Sequence, residues 1–272
     1  MSLVRQLPWV TRTTAKMDSS FRWNAERQCK SAITVPACPM AHAAPSHATY
    51  AAPERPRKAR MHTLPPLPPT HSATRIRLTR AAILAIVPAW LLMLVVSGAL
   101  KPGYSHVSQY ISELNAIGTP YAWQIGLFGF VPFGLMVIAV LVLAAPLLPV
   151  RGIARVGYWM LLLEAVAYIG SAFAPCDAGC PAEGSLSQQL HNLLGLVTYL
   201  GTFFAVVLLA CGSGLRAITR MVLLIVATLW LLLFFAMVVP PMEPLRGLVQ
   251  RIGEAVLYGT LLMLAWRALP RH

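Results

Sequence analysis

Few side chains in this sequence are equipped for chemistry, and most of them fall in three short stretches. Ala174-Pro-Cys-Asp-Ala-Gly-Cys-Pro181 holds two thiols, Cys176 and Cys180, and the carboxylate of Asp177, with the imidazole of His191 eleven residues beyond Cys180. Cys176 and Cys180 are close enough to bridge where Gly179 permits the turn, so a disulfide is expected in an oxidising compartment. Cys176, Asp177, Cys180 and His191 also offer plausible metal ligands, but their spacing matches no zinc pattern, and no metal site is expected. His191 and Asp177 are instead candidates for an acid–base pair. Earlier in the chain, Tyr104-Ser-His-Val-Ser-Gln-Tyr-Ile-Ser-Glu-Leu-Asn115 supplies Glu113 as a further catalytic candidate and Ser112 as a binding candidate. Near the C-terminus, Arg251 and Glu254 share a helix face and can neutralise each other, with Arg251 available as an anion clamp. Glu164 stands alone in an apolar run.

The elements that must position these groups are membrane helices. The chain has 272 residues, 57% hydrophobic and 11% charged, with a mean hydropathy of +0.64. A soluble domain carries roughly 25% charged residues, so that class is excluded. Helices are the only open solution for long apolar runs, because lipid offers the backbone no hydrogen bonds. The uncharged runs predict six spans, at 81–100, 123–145, 156–174, 190–211, 221–239 and 248–266. The fold class is therefore an all-α polytopic bundle of six transmembrane helices. Arg75, Arg77, Arg80, Arg151, Arg155, Arg216, Arg220, Arg267 and Arg271 all flank one side, whereas the alternate loops hold only Lys101 and Arg246. By the positive-inside rule both termini are cytoplasmic, and loops 101–121, 175–189 and 240–247 face outward across a bacterial plasma membrane. The pattern 104–115 reads as a short amphipathic helix lying in the interface, with Val107, Tyr110, Ile111 and Leu114 on its apolar side.

Residues 1–79 differ in kind and are expected to form a disordered tail, with 80–268 as the transmembrane domain. Residues 1–80 hold thirteen of the basic side chains, three of the acidic ones, ten prolines and no glycine. Too few large aliphatic residues are present to offset the entropy of ordering. Three functional readings of the tail compete: an organellar transit peptide, a lipid-headgroup contact through Arg55, Arg57, Lys58 and Arg60, or translation starting at Met61. Because the basic excess sits in the tail, a folded nucleic-acid-binding surface is not expected.

Carboxylates inside a bilayer cost at least a few kcal/mol unless paired or hydrated, which makes Glu164 and Glu254 site candidates. Glu164 must be protonated, reach Arg251 or face a watery cavity; a packing hydrogen bond is the simpler alternative. Gly126, Gly129, Gly134, Gly170, Gly195 and Gly201 read as close-packing positions between helices. No nucleotide fingerprint, nucleophile elbow or HExxH is present, and the sequence names no cofactor.

Ser108 with Ile111-Ser112-Glu113-Leu114 after the first span, Cys176-Asp177-x-Gly179-Cys180-Pro181 and His191 around the start of the fourth, and Arg251-x-x-Glu254 in the sixth recur in a known order. In these the chain resembles the bacterial and archaeal membrane family known as domain of unknown function 998, over about residues 80–268. The resemblance implies the six-helix plan and no activity, substrate or cofactor.

Span direction would gather Ser112, Glu113, Asp177, His191, Arg251 and Glu254 at the outer leaflet, lining one pocket. Three functions suit such a pocket: a non-catalytic or lipid-associated protein, with a lipid or small molecule bound at the outer leaflet; an enzyme acting on a lipid head group; or a proton-coupled transporter using Glu164 and Glu254.

Overall fold

The computed structural model describes residues 72–270. The bundle contains six helices long and apolar enough to cross a membrane: α1 Ala73–Leu100, α2 Ala122–Leu147, α3 Ile153–Phe173, α4 Leu186–Ala210, α5 Ala217–Val238 and, after a 3-10 turn at Pro240–Leu245, α6 Arg246–Ala268. No strand occurs among the described residues. Every expected span is a helix, so the protein is a multi-pass membrane protein.

The first helix begins before residue 80, the expected start of the transmembrane domain: Ala73 to Thr79 form the first turns of α1. The Ser72 hydroxyl caps them by accepting from the Arg75 N–H at 3.3 Å, and arginine is a good helix former. The rest of the expected tail, 1–71, lies outside the described residues.

Each helix packs on the next, and α6 returns to α1, so the six form a closed ring. Several polar side chains within the spans bond to backbone carbonyls, as lipid favours. Thr79 donates to its own helix at Arg75 O (2.8 Å). Tyr158 donates to Leu141 O (2.5 Å), and Trp230 to Tyr199 O (3.0 Å). Large apolar side chains such as Leu92, Phe128, Phe204, Ile225 and Leu232 point outward and remain exposed, as a lipid-facing belt must.

Two helices are irregular along their length. In α2 the residues Gly126–Phe130 form a wide π turn just before Pro132, whose ring nitrogen cannot donate a helical hydrogen bond. In α3 the regular ladder breaks at Leu161. There the Glu164 N–H bonds the Leu161 carbonyl three residues back (3.2 Å).

The start of α1 and the end of α6 meet at one face, where Arg80 donates to Pro270 O at 2.6 Å. The loops between α2 and α3 and between α4 and α5 lie there too, with Gly214 against the Pro149 carbonyl. Loops 101–121, 174–185 and 239–245 share the opposite face and are hydrogen-bonded into one layer. Ile117 N–H donates to Cys176 O (2.8 Å) and Leu248 N–H to Val107 O (2.9 Å), while the Tyr110 hydroxyl donates to Met237 O (2.9 Å).

Candidate functional site

The loop layer is organised around Glu113. Residues 104–115 do not form an interfacial amphipathic helix. They make turns and then a 3-10 helix, Ile111–Asn115, folded into the mouth of the ring with Ile111, Leu114 and Asn115 buried. Glu113, expected on the polar side, is 1% exposed. Its carboxylate accepts from the Tyr110 N–H (2.9 Å) and Gln109 Nε2 (3.0 Å) and pairs with Arg246 at 3.1 Å. Local sequence spacing showed an apolar stripe but not the cation arriving from α6, which meets Glu113 where the segment folds inward. Lys101 donates to the Glu113 carbonyl. Burial lowers the Lys101 pKa, and Glu113 opposes the change. Arg246 also donates to Ser108 O (3.1 Å) and Gly179 O (3.3 Å) and lies over the Tyr110 ring at 4.5 Å. Burial raises the Tyr110 pKa, against the pull of Arg246.

Arg251 takes a different place from the one its spacing implied. It donates to the Tyr104 hydroxyl (2.6 Å), Gln109 O (3.0 Å) and its own helix at Gly247 O (2.8 Å), and its Nη2 lies 3.2 Å from His106 Nδ1. It forms no ion pair with Glu254 among the described residues. A three-residue spacing allows that pair, but each group is better served across the ring. Burial pushes the Tyr104 phenol up to about 12, with Arg251 pulling the other way. The imidazole of His106 is lowered by burial and then by Arg251. This cluster fastens the first loop to α6, and a side chain at Gly247 would strike the Gln109 backbone.

Behind the loop layer a cavity of about 850 Å³ runs into the ring, reaching from Gly179, Cys180 and Arg246 at the mouth to Glu164 and Glu254. Glu164 accepts from the Thr202 hydroxyl (2.5 Å) and the Tyr258 hydroxyl (3.0 Å). Glu254 accepts through Oε2 from Trp90 Nε1 (3.1 Å) and from the Tyr168 hydroxyl. The walls are aromatic: Tyr199 stacks on Trp230 and on Phe234, each at 4.8 Å. Leu196, Val238 and Val239 belong both to the cavity and to the exposed apolar surface, so its rim meets the lipid belt.

The Cys176–Cys180 turn closes over this mouth. The sulfurs lie at disulfide-bonding distance with Cα atoms 5.1 Å apart, and Gly179 takes the left-handed φ of +82° that the turn needs. Ser112 Oγ is 3.5 Å from Cys180 Sγ. Cys176, Cys180 and His191 place one ligand atom each within 4.8 Å of one another; sulfurs joined in a disulfide would offer no thiolates to a metal. Asp177 is not in that group. It accepts from the Ser185 N–H and hydroxyl, both at 2.8 Å, and these bonds hold its pKa below the ordinary value of 3.8. His191 Nδ1 lies 2.9 Å from Ala174 O. A carbonyl only accepts, so Nδ1 carries hydrogen and Asp177 is not the orienting partner.

The ring therefore brings Ser112, His191, Glu164 and Glu254 to one cavity, and places Glu113, Asp177 and Arg251 in the layer that covers it. Gly126, Gly129, Gly134, Gly170 and Gly201 pack against neighbouring helices, whereas Gly195 faces open cavity space instead of a helix. Sequence reasoning missed Arg246, Tyr168, Tyr199, Thr202 and Tyr258. Arg246 had a signal, since it is one of two basic residues on the side otherwise free of them. The hydroxyls had none, because a tyrosine within an apolar run has no local signature of its partner.

A family model described as "Protein of unknown function (DUF998)" matches residues 84–267. Neither the curated proteins nor the solved structures yield a match.

Proposed function

The chain belongs to the domain of unknown function 998 family, and from that premise we propose that it is a non-catalytic protein of the bacterial plasma membrane that holds an amphipathic lipid or small molecule in its cavity. The carrying observation is the cavity itself. It combines an apolar rim continuous with the lipid belt and carboxylates at depth, which suits a ligand that enters from the bilayer with a polar group leading. The arginines at the face where α1 starts and α6 ends support a cytoplasmic placement of that face, leaving the cavity mouth outward. The bond between Cys176 and Cys180 fits the same placement, since disulfides persist in oxidising compartments.

An enzyme reading needs His191 to act with Asp177, and their bonds run to Ala174 and Ser185 instead. Gly195 provides the test. A Cβ there would meet no atom within 4 Å and Gly195 lines the cavity, so Gly195→Trp directs its indole into cavity space. Native mass spectrometry of protein extracted from membranes should find an amphiphile retained by the wild type and lost from Gly195→Trp, at unchanged melting temperature. Equal retention by both proteins, or none by the wild type, removes the reading.

A further inference from the structure

We infer that the ligand of this cavity is an organic cation: an ammonium- or phosphonium-type centre on an apolar body, seated against Glu254. The inference rests on the cavity being a binding site and names the chemistry of its occupant.

Glu254 is 5% exposed and lines the cavity. Both of its hydrogen bonds from the protein go to Oε2, and Oε1 has no partner among the described residues. A buried carboxylate oxygen left open toward a cavity asks for a positive or hydrogen-donating group. Glu164 lies in the same cavity with its oxygens taken by Thr202 and Tyr258, both neutral donors. Two carboxylates thus face the space with no basic side chain bonded to either.

The protein's own cations are engaged elsewhere. Arg246, at the mouth, is paired with Glu113; Arg251 is bound to Tyr104 and Gln109; Lys101 donates to the Glu113 carbonyl. His191 is the remaining titratable group with basic character on the cavity wall. A cationic ligand supplies the counter-charge that the bundle withholds, at a depth where charge is weakly screened. The walls agree with this choice. Stacked Tyr199, Trp230 and Phe234 with Tyr168 and Phe130 give the cavity several ring faces, and aromatic faces attract cations while accommodating apolar substituents.

Three probes test it: tetraphenylphosphonium (cation) and tetraphenylborate (anion), which share one shape, and the smaller triphenylphosphine oxide (neutral). Each is titrated calorimetrically into full-length protein in maltoside micelles, with protein-free micelles as blank. Tetraphenylphosphonium should bind saturably, and Glu254→Gln should weaken it roughly tenfold or more, as expected for a lost charge contact in a dry site. Gly195→Trp should abolish it. Tetraphenylborate or the phosphine oxide binding as tightly as the cation overturns the charge assignment and leaves the cavity reading standing. So does unchanged affinity in Glu254→Gln. Should Glu254→Gln fail to fold, the comparison of probes on the wild type decides alone. Failure of all three probes on the wild type, or equal binding to Gly195→Trp, overturns the cavity reading as well.

Discussion

Replacing Arg246 with methionine should destabilise the protein far more than the loss of a surface ion pair would. Glu113 is 1% exposed in its side chain and Arg246 17%, at a separation of 3.1 Å. Removing one member of a buried pair costs about 3–5 kcal/mol, because the other charge stays buried without compensation. The Tyr110 N–H and Gln109 Nε2 remain on Glu113, which favours the lower end, about 3 kcal/mol. For a chain of this size 1 kcal/mol moves the melting temperature by about 2–4 °C, so a fall of roughly 6–12 °C is expected. The double variant Glu113→Gln/Arg246→Met removes the stranded charge and should melt above Arg246→Met alone. Intrinsic tryptophan fluorescence on heating in maltoside micelles reads both. An Arg246→Met protein melting within about 2 °C of wild type, or a double variant melting below the single one, would refute the assignment of Glu113 as the ion pair that organises the loop layer.

Asp177 gives a pH dependence of known sign. Its pKa in the folded protein is depressed by the two Ser185 hydrogen bonds, so its stabilisation is complete above the ordinary carboxylate value and fades as pH falls through the folded one. Wild type should therefore lose melting temperature more steeply than Asp177→Asn between about pH 5 and 3, and parallel curves would contradict this. Gly247→Ala should destabilise by about 1–3 kcal/mol through overpacking against Gln109, visible in the same melting assay. The sidedness can be read from thiol labelling with Cys29 and Cys38 replaced by serine: exposed Cys211 should react with an impermeant maleimide only after permeabilisation, and a cysteine introduced at Ala178 should react in intact cells. Labelling in the reverse pattern would turn the bundle over.

The six helices were legible because a long uncharged run leaves one backbone solution in lipid. Each span starts or ends within a few residues of its expected place, apart from α1, where the capped arginine-rich turns extend the helix backward. The gathering of three loops at one face was legible in the same way. Pairing was not. Arg251 and Glu254 sit where sequence distance invites a bond, yet Tyr104 and Trp90, more than 140 residues away, bind them instead. Asp177 lies in the loop and His191 in the helix that follows it, and they turn apart, since the serine that caps that helix and a backbone carbonyl are nearer. Glu164 shows the same limit: its partners Thr202 and Tyr258 come from α4 and α6, and only the ring closure brings them together. The two basic residues that break the charge asymmetry, Lys101 and Arg246, converge on Glu113. The exceptions to a global rule were the informative positions.

That convergence also orders the protein's assembly in time. Glu113 leaves the ribosome 133 residues before Arg246, so four further helices are made while its carboxylate has no guanidinium to meet. The gatekeeping layer at the mouth is therefore finished only when the final hairpin inserts. A nascent chain stalled before α6 holds Glu113 without its Arg246 partner.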